Sequence, residues 1–76
     1  MDSEFIVRAE LVATVLQVDV DIGRAVDRET QVALLESMKM EIPVLADRAG
    51  VVTAVHVAPG RTVQAGDEIA AIAAEP

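Results

Sequence analysis

The sequence predicts an all-β fold, a flattened β-barrel or sandwich with pseudo-two-fold symmetry between its two halves. Three observations carry that expectation. The chain repeats itself at an offset of 37 residues, which pairs Val15 with Val52, Val18 with Val55, Val20 with Val57, Gly23 with Gly60, Arg24 with Arg61, Val26 with Val63 and Ala33 with Ala70. So many coincidences in one ungapped register, three of them within a shared Gly-Arg-x-Val turn signature, imply two halves of similar structure. Apolar residues make up 53% of the chain and Phe5 is the one aromatic, so the bulk is Val, Ala, Ile and Leu, the material of thin β-branched strands. No segment carries a capped apolar stripe of 3.6-residue period long enough for a helix.

Taken in order, Val18-Asp19-Val20-Asp21-Ile22 sets apolar residues at every second position, as a half-buried strand requires, and Gly23 supplies the turn that follows. Val32 to Leu35 is a short continuous apolar run, which suits a strand buried on both faces. The middle of the chain reads as a hairpin with its mirror axis between Met38 and Lys39. Ser37 then faces Met40, Glu36 faces Glu41, Leu35 faces Ile42 and Leu34 faces Pro43. Pro43 removes a ladder donor and so belongs on an edge strand. The second half repeats the first through Val55-His56-Val57-Ala58-Pro59-Gly60 and the run Ile69 to Ile72. The inventory is eight short strands, four from each half.

The hairpin breaks local rules. A favoured two-residue turn wants Asn-Gly or Asp-Gly, because its central residues take φ > 0, yet this one has Met38-Lys39. Two carboxylates, Glu36 and Glu41, face each other across it, which is mildly destabilising. A local violation at the centre of an otherwise consistent sequence points to function. Lys39 is also the only lysine of the chain, so any chemistry through a side-chain amine happens at this turn.

At 76 residues the chain reads as a single domain, residues 1–76; a domain so small buries only roughly 60% of the surface its unfolded chain exposes. It has no cysteine, so no disulfide or thiolate metal site staples it, and the cytosol is a permissible compartment. Asp2 and Glu4 stand where a signal peptide wants positive charge, and no stretch reaches the ~18 uncharged apolar residues of a membrane span. The expectation is a soluble, cytoplasmic protein, monomeric when isolated. A net charge of −7 repels phosphate backbones and anionic membranes, which argues against nucleic-acid and membrane partners and suits a protein with a basic docking surface.

Residues 8 to 74 resemble the biotinyl/lipoyl attachment domains. Glu36-Ser37-Met38-Lys39-Met40-Glu41 looks like the biotin-attachment motif, usually Ala-Met-Lys-Met. The likeness extends to Gly23-x-x-Val26, Ala49-Gly50-x-Val52 and Gly60-x-x-Val63-x-x-Gly66-Asp67-x-Ile69. The resemblance implies a flattened barrel of two four-stranded sheets, with Lys39 at a hairpin tip as the lysine acylated by biotin and Met38 and Met40 as its flanking recognition residues. It implies a biotin carboxyl carrier of a biotin-dependent system such as an acyl-CoA carboxylase. A biotin protein ligase would modify it, biotin carboxylase would load carbon dioxide and a carboxyltransferase would remove it. The chain departs from the pattern at Ser37, where Ala is usual, at Glu10-Leu11-Val12-Ala13, where many members have Pro-Met-Pro-Gly, and at Glu29, opposite Gly66 of the second half. No insertion is present that could fold over the cofactor.

Each candidate also has an ordinary reading. A lysine at a hairpin apex is commonly a solvated gatekeeper, but a sole lysine between two methionines at a pseudosymmetry centre favours attachment. Methionines are commonly core filler, whereas a tip leaves Met38 and Met40 outside any core, as flexible thioethers on a surface read by several partners. Glu36, Ser37 and Glu41 are candidates for partner recognition, or solubilising strand-end groups. His56, the lone histidine, aligns with Asp19 on the outward face of a strand; without a second histidine or a cysteine a metal site is not expected. Arg24 and Arg61 occupy equivalent solvated turns. The chain offers no nucleophile and base pair, so it reads as a carrier and not an enzyme. A free lysine amine is almost wholly protonated at neutral pH, so the nucleophile has to be generated with the ligase's help. The alternative is a lipoyl carrier, against which the paired methionines argue, because lipoyl members usually show an acidic residue before the lysine and Ala after it.

Overall fold

The computed structural model describes residues 4–74; Asp2, considered above for its charge, lies outside the described residues. Eight strands follow in chain order: β1 Glu4–Arg8, β2 Ala13–Val18, β3 Ala25–Val26, β4 Gln31–Ser37, β5 Met40–Leu45, β6 Gly50–Val55, β7 Thr62–Val63 and β8 Glu68–Ala74. They form two antiparallel four-stranded sheets, ordered β1-β8-β6-β3 and β5-β4-β2-β7. The repeat offset carries β1 onto β5, β2 onto β6, β3 onto β7 and β4 onto β8, so it carries one sheet onto the other. Each sheet mixes strands of both halves, and neither half closes a sheet alone.

The backbone obeys the repeat bond by bond. The Gly23 N–H donates to the Val52 carbonyl at 2.8 Å, and the Gly60 N–H donates to the Val15 carbonyl at 2.8 Å. In return the Val52 N–H donates to the Arg24 carbonyl at 2.9 Å and the Val15 N–H to the Arg61 carbonyl at 2.8 Å. These bonds extend the β3–β6 and β7–β2 ladders, tying each turn to a strand of the sheet that the chain has just entered. Gly23 and Gly60 sit at φ 96 and 91, a left-handed region that glycine enters without steric cost. The bulges repeat as well: β2 slips against β4 between Val15 and Gln17, and β6 slips against β8 between Val52 and Ala54.

The Val18 to Ile22 alternation does not form a strand. β2 ends at Val18, and only the inward residue of the pattern survives, Val20 being buried while Ile22 is exposed. The cause is the crossing just described, since the chain must leave its own sheet at Asp19 to bring Gly23 against Val52 in the other. β6 ends at Val55 for the same reason, so His56 lies in irregular backbone past the strand end and not on a strand face.

Between the sheets lies one apolar core whose fully buried large side chains are Leu35, Ile69, Ile72, Val15, Val32, Val52 and Val63, and among the described residues it contains no buried polar or charged side chain. The runs Val32–Leu35 and Ile69–Ile72 supply four of these seven side chains and are buried throughout except for the half-buried Leu34. Burial at ~25 cal/mol per Å² of apolar surface holds the sheets face to face. Leu35 and Ile72, equivalent under the repeat, anchor the two long strands β4 and β8.

Candidate functional site at the β4–β5 hairpin tip

β4 and β5 pair with the register Ser37↔Met40, Glu36↔Glu41, Leu35↔Ile42 and Leu34↔Pro43, which is the mirror pairing read from the sequence. β5 is the outermost strand of its sheet, so the ladder donor that Pro43 lacks is missing from an edge. Only Met38 and Lys39 are left to make the turn, and their φ values are 53 and 67. Two consecutive left-handed residues make a type I′ turn, whose twist matches that of the strands it joins. For L-residues with side chains this conformation costs roughly 1–2 kcal/mol each. The cost is borne because Leu35, three residues before Met38, is locked in the core, and Ile42 opposite packs against that core.

The turn pushes its side chains into solvent. Met38 is 91% exposed and Met40 66% exposed; Lys39, Glu36 and Glu41 are exposed as well, and Ser37 is half-buried. All six sequence-predicted residues therefore form one contiguous apex. Glu36 and Glu41 stand opposite each other, and among the described residues the ion pairs involve only Arg8, His56 and Glu68. The amine of Lys39 is thus carried at the end of a sheet in which β4 is flanked by β5 and, from Glu36 inward, by β2, and it has no ion pair of its own among those residues.

Other polar residues have structural partners. The His56 Nε2 lies 3.5 Å from Glu68 Oε1, and Glu68 Oε2 lies 3.9 Å from Arg8 Nη1. In the first half the equivalent pair is Asp19 and Gln31, whose Nε2 donates to Asp19 Oδ2 at 2.8 Å, so both sites close the same crossing. Arg24 Nη1 reaches the Asp19 carbonyl at 3.3 Å and Arg61 Nη1 the His56 carbonyl at 3.5 Å. Among the described residues no group of three or more His, Cys, Asp or Glu is placed to hold a metal ion. Glu29 avoids the left-handed conformation that Gly66 takes at φ 93; there the Asp27 Oδ1 accepts the Glu29 N–H at 2.9 Å and holds the turn. A further left-handed residue, Asp47 at φ 66, belongs to no sequence motif; its one signal is that Asp tolerates this region better than most. It shapes the β5–β6 loop through a bond from its N–H to the Arg28 carbonyl at 3.1 Å.

Two strand-exchanged four-stranded sheets with a lysine at the turn of a projecting hairpin are the architecture of biotinyl- and lipoyl-attachment domains. The chain belongs to that family: the Biotin_lipoyl profile, described as "Biotin-requiring enzyme", matches residues 6–72. It is 56% identical over 66 residues to the biotinylated protein TB7.3 homolog of Mycobacterium leprae, covering 87% of this chain and 93% of that one. It is 43% identical over 65 residues to the biotin carboxyl carrier protein of Streptococcus mutans, covering 86% of this chain and 50% of that protein. Among solved structures it resembles part of a single-chain, multi-domain long-chain acyl-CoA carboxylase, with a TM-score of 0.88 and 32% identity over 96% of this chain and 7% of that one. The urea carboxylase of Kluyveromyces lactis matches with a TM-score of 0.87 and 28% identity over 95% of this chain and 6% of its own. Family and relatives together make the chain a biotin carrier, with covalently attached biotin as its cofactor.

Proposed function

We propose that biotin is held as an amide on Lys39 Nζ and that residues 1–76 act as one non-catalytic carboxyl-carrier domain. The observation that carries this reading is the strained left-handed turn that puts the chain's only lysine at an exposed apex, φ 67. The residues fit the group: a single primary amine, free of ion pairs among the described residues, stands on a stem whose root is in the core. Bound biotin supplies a ring nitrogen able to take up and give back a carboxyl group, and that chemistry belongs to the cofactor and the enzymes it visits. This chain's own residues present it. Met38 and Met40 offer adaptable apolar surface on either side of the amine, and Glu36, Ser37 and Glu41 form a polar collar below. The long lysine stem sets an effective concentration at each partner by reach.

The partners on this reading are a biotin protein ligase, a biotin carboxylase and a carboxyltransferase, met in the cytoplasm by a monomeric carrier. A groove along the edge strands β1 and β5 is lined by Arg8, Glu10 and Asp47 among apolar side chains. The likeness to a biotin carboxyl carrier protein supports carriage.

The deciding experiment compares the wild-type chain with Lys39→Arg, which keeps a cation but lacks an acylatable amine. Ligase with biotin should raise the intact mass of wild type by one biotin and leave the folded variant unchanged. The holo-protein, given biotin carboxylase, ATP and labelled bicarbonate, should acquire label that a carboxyltransferase discharges. Incorporation into Lys39→Arg, or transfer of lipoate alone to Lys39, overturns the reading.

A further inference from the structure

Two of the three methionines of the chain stand together at the hairpin tip. The sequence has no cysteine, tryptophan or tyrosine and three methionines. One is Met1; the other two are Met38 and Met40, which flank Lys39 and are 91% and 66% exposed. A thioether in an apolar core is shielded from aqueous oxidants and one on a hairpin apex is not, so peroxide meets sulfur next to the acceptor amine. Nothing in the packing requires sulfur here, since both side chains lie outside the hydrophobic core.

We infer that Met38 and Met40 form a reversible oxidation site that switches the acceptor lysine between competent and incompetent states; this rests on the assignment of Lys39 as the attachment site. The reaction is an oxygen-atom transfer from hydrogen peroxide. The methionine sulfur donates an electron pair to one peroxide oxygen, the O–O bond breaks and an S–O bond forms. The second oxygen leaves as water, so that sulfur is oxidised and peroxide reduced by two electrons. A dithiol-dependent methionine sulfoxide reductase reverses the change, returning the thioether with water and a disulfide as the other products.

Oxidation converts a soft apolar surface into a polar, chiral one with a strong acceptor oxygen. The S–O group of Met38 would stand one residue from the amine, and that of Met40 would stand on its other side. A ligase contact formed to the thioethers must then desolvate a sulfoxide, which costs binding in an apolar contact. The fold should not respond, because neither side chain packs in the core and the β4–β5 register is fixed by Leu35 and Ile42 deeper in the hairpin.

The test treats apo-protein with dilute hydrogen peroxide, maps the added oxygen by peptide mass and assays ligase-catalysed biotinylation before and after. Oxygen should appear on Met38 and Met40, the melting temperature should stay within a few degrees, and kcat/KM for ligase should fall on the order of tenfold, the scale for a changed apolar contact. Methionine sulfoxide reductase with a dithiol should restore it. Unchanged biotinylation of the doubly oxidised chain overturns the switch while leaving the carrier assignment standing. Loss of folding on oxidation, or no recovery after verified reduction, overturns it too. If untreated protein takes no biotin on Lys39, the carrier assignment falls and the switch with it. The Met38→Leu, Met40→Leu variant is the internal control: its ligase kinetics should be insensitive to peroxide, and inhibition in that variant would place the sensitive group elsewhere.

Discussion

Glu36 and Glu41 face each other across the β4–β5 ladder, one residue pair below the Met38-Lys39 turn. Both are exposed, and like charges placed directly opposite weaken a strand pair by roughly 0.2–1 kcal/mol. Glu41→Gln should therefore stabilise the domain and raise Tm by a few degrees at low salt. The gain should shrink as salt approaches about 1 M, where the screening length falls to ~3 Å. A lower Tm for the variant would show that Glu41 has a stabilising partner and remove the argument that the pair is kept for something other than stability.

The turn itself conflicts with stability more directly. Replacing Met38-Lys39 by Asn-Gly supplies residues that tolerate left-handed φ at both positions. Removing even ~1 kcal/mol of backbone strain should raise Tm by about 4–8 °C in a domain of this size. The same variant should take no biotin, because its amine is gone. A reduced Tm, with the hairpin register shown intact by NMR, would mean that the wild-type turn is unstrained.

Much of this hairpin was legible beforehand because its pairing follows from mirror symmetry in the sequence, Leu35 with Ile42 and Leu34 with Pro43, and because period-two chemistry fixes which partners meet. The repeat likewise foretold two related halves with Lys39 at the connection between them. It did not foretell that the halves exchange strands, since a periodicity in sequence says nothing about which sheet each strand joins. The alternation from Val18 to Ile22 misled for the same reason. Val20 is inward and Asp19 outward, as a strand would have them, but the backbone there is committed to a crossing whose hydrogen-bond partners, Val32 and Val52, are distant in sequence. The two-residue strands β3 and β7 are too short to leave a pattern, and the bulges at Val15 and Val52 are tertiary adjustments of twist.

Gly50 offers a test of sheet packing where the two halves differ, its equivalent in the first half being Ala13. A Cβ at Gly50 would overlap the Ala73 carbonyl oxygen and lie 2.8 Å from Ile72 Cγ2. Gly50→Ala forces β6 and β8 apart and should cost about 1–3 kcal/mol or more, as overpacking does. Gly66→Ala meets open space and bears only the left-handed strain of roughly 1–2 kcal/mol. Chemical denaturation should rank the first variant as the less stable. Equal stability of Gly50→Ala and wild type would contradict the close approach of these strands.

Met38→Leu together with Met40→Leu keeps side-chain volume, and neither methionine belongs to the core. Tm should stay within a few degrees while kinetics with ligase, carboxylase or carboxyltransferase change. A fall of more than ~5 °C would correspond to about 1 kcal/mol in a domain of this size and would place these side chains in the packing after all.

Leu35 and Ile72 are equivalent under the repeat and equally buried, so Leu35→Ala and Ile72→Ala should each cost about 2–5 kcal/mol, the range for opening a cavity at a core position. That is a large share of the stability available to a small domain. Their local consequences should differ. Leu35 pairs with Ile42 beneath the lysine-bearing turn, whereas Ile72 pairs with Phe5 and Val52 in the opposite sheet. Under native conditions hydrogen exchange should therefore accelerate first in the β4–β5 ladder of Leu35→Ala and first in the β1–β8–β6 ladders of Ile72→Ala. A folded Leu35→Ala chain should also accept biotin more slowly than a folded Ile72→Ala chain, because the strained turn has lost the anchor that holds it. If both variants open the hairpin to the same degree, the tip is held by the domain as a whole, and rigid presentation of Lys39 cannot be credited to the root of its own hairpin.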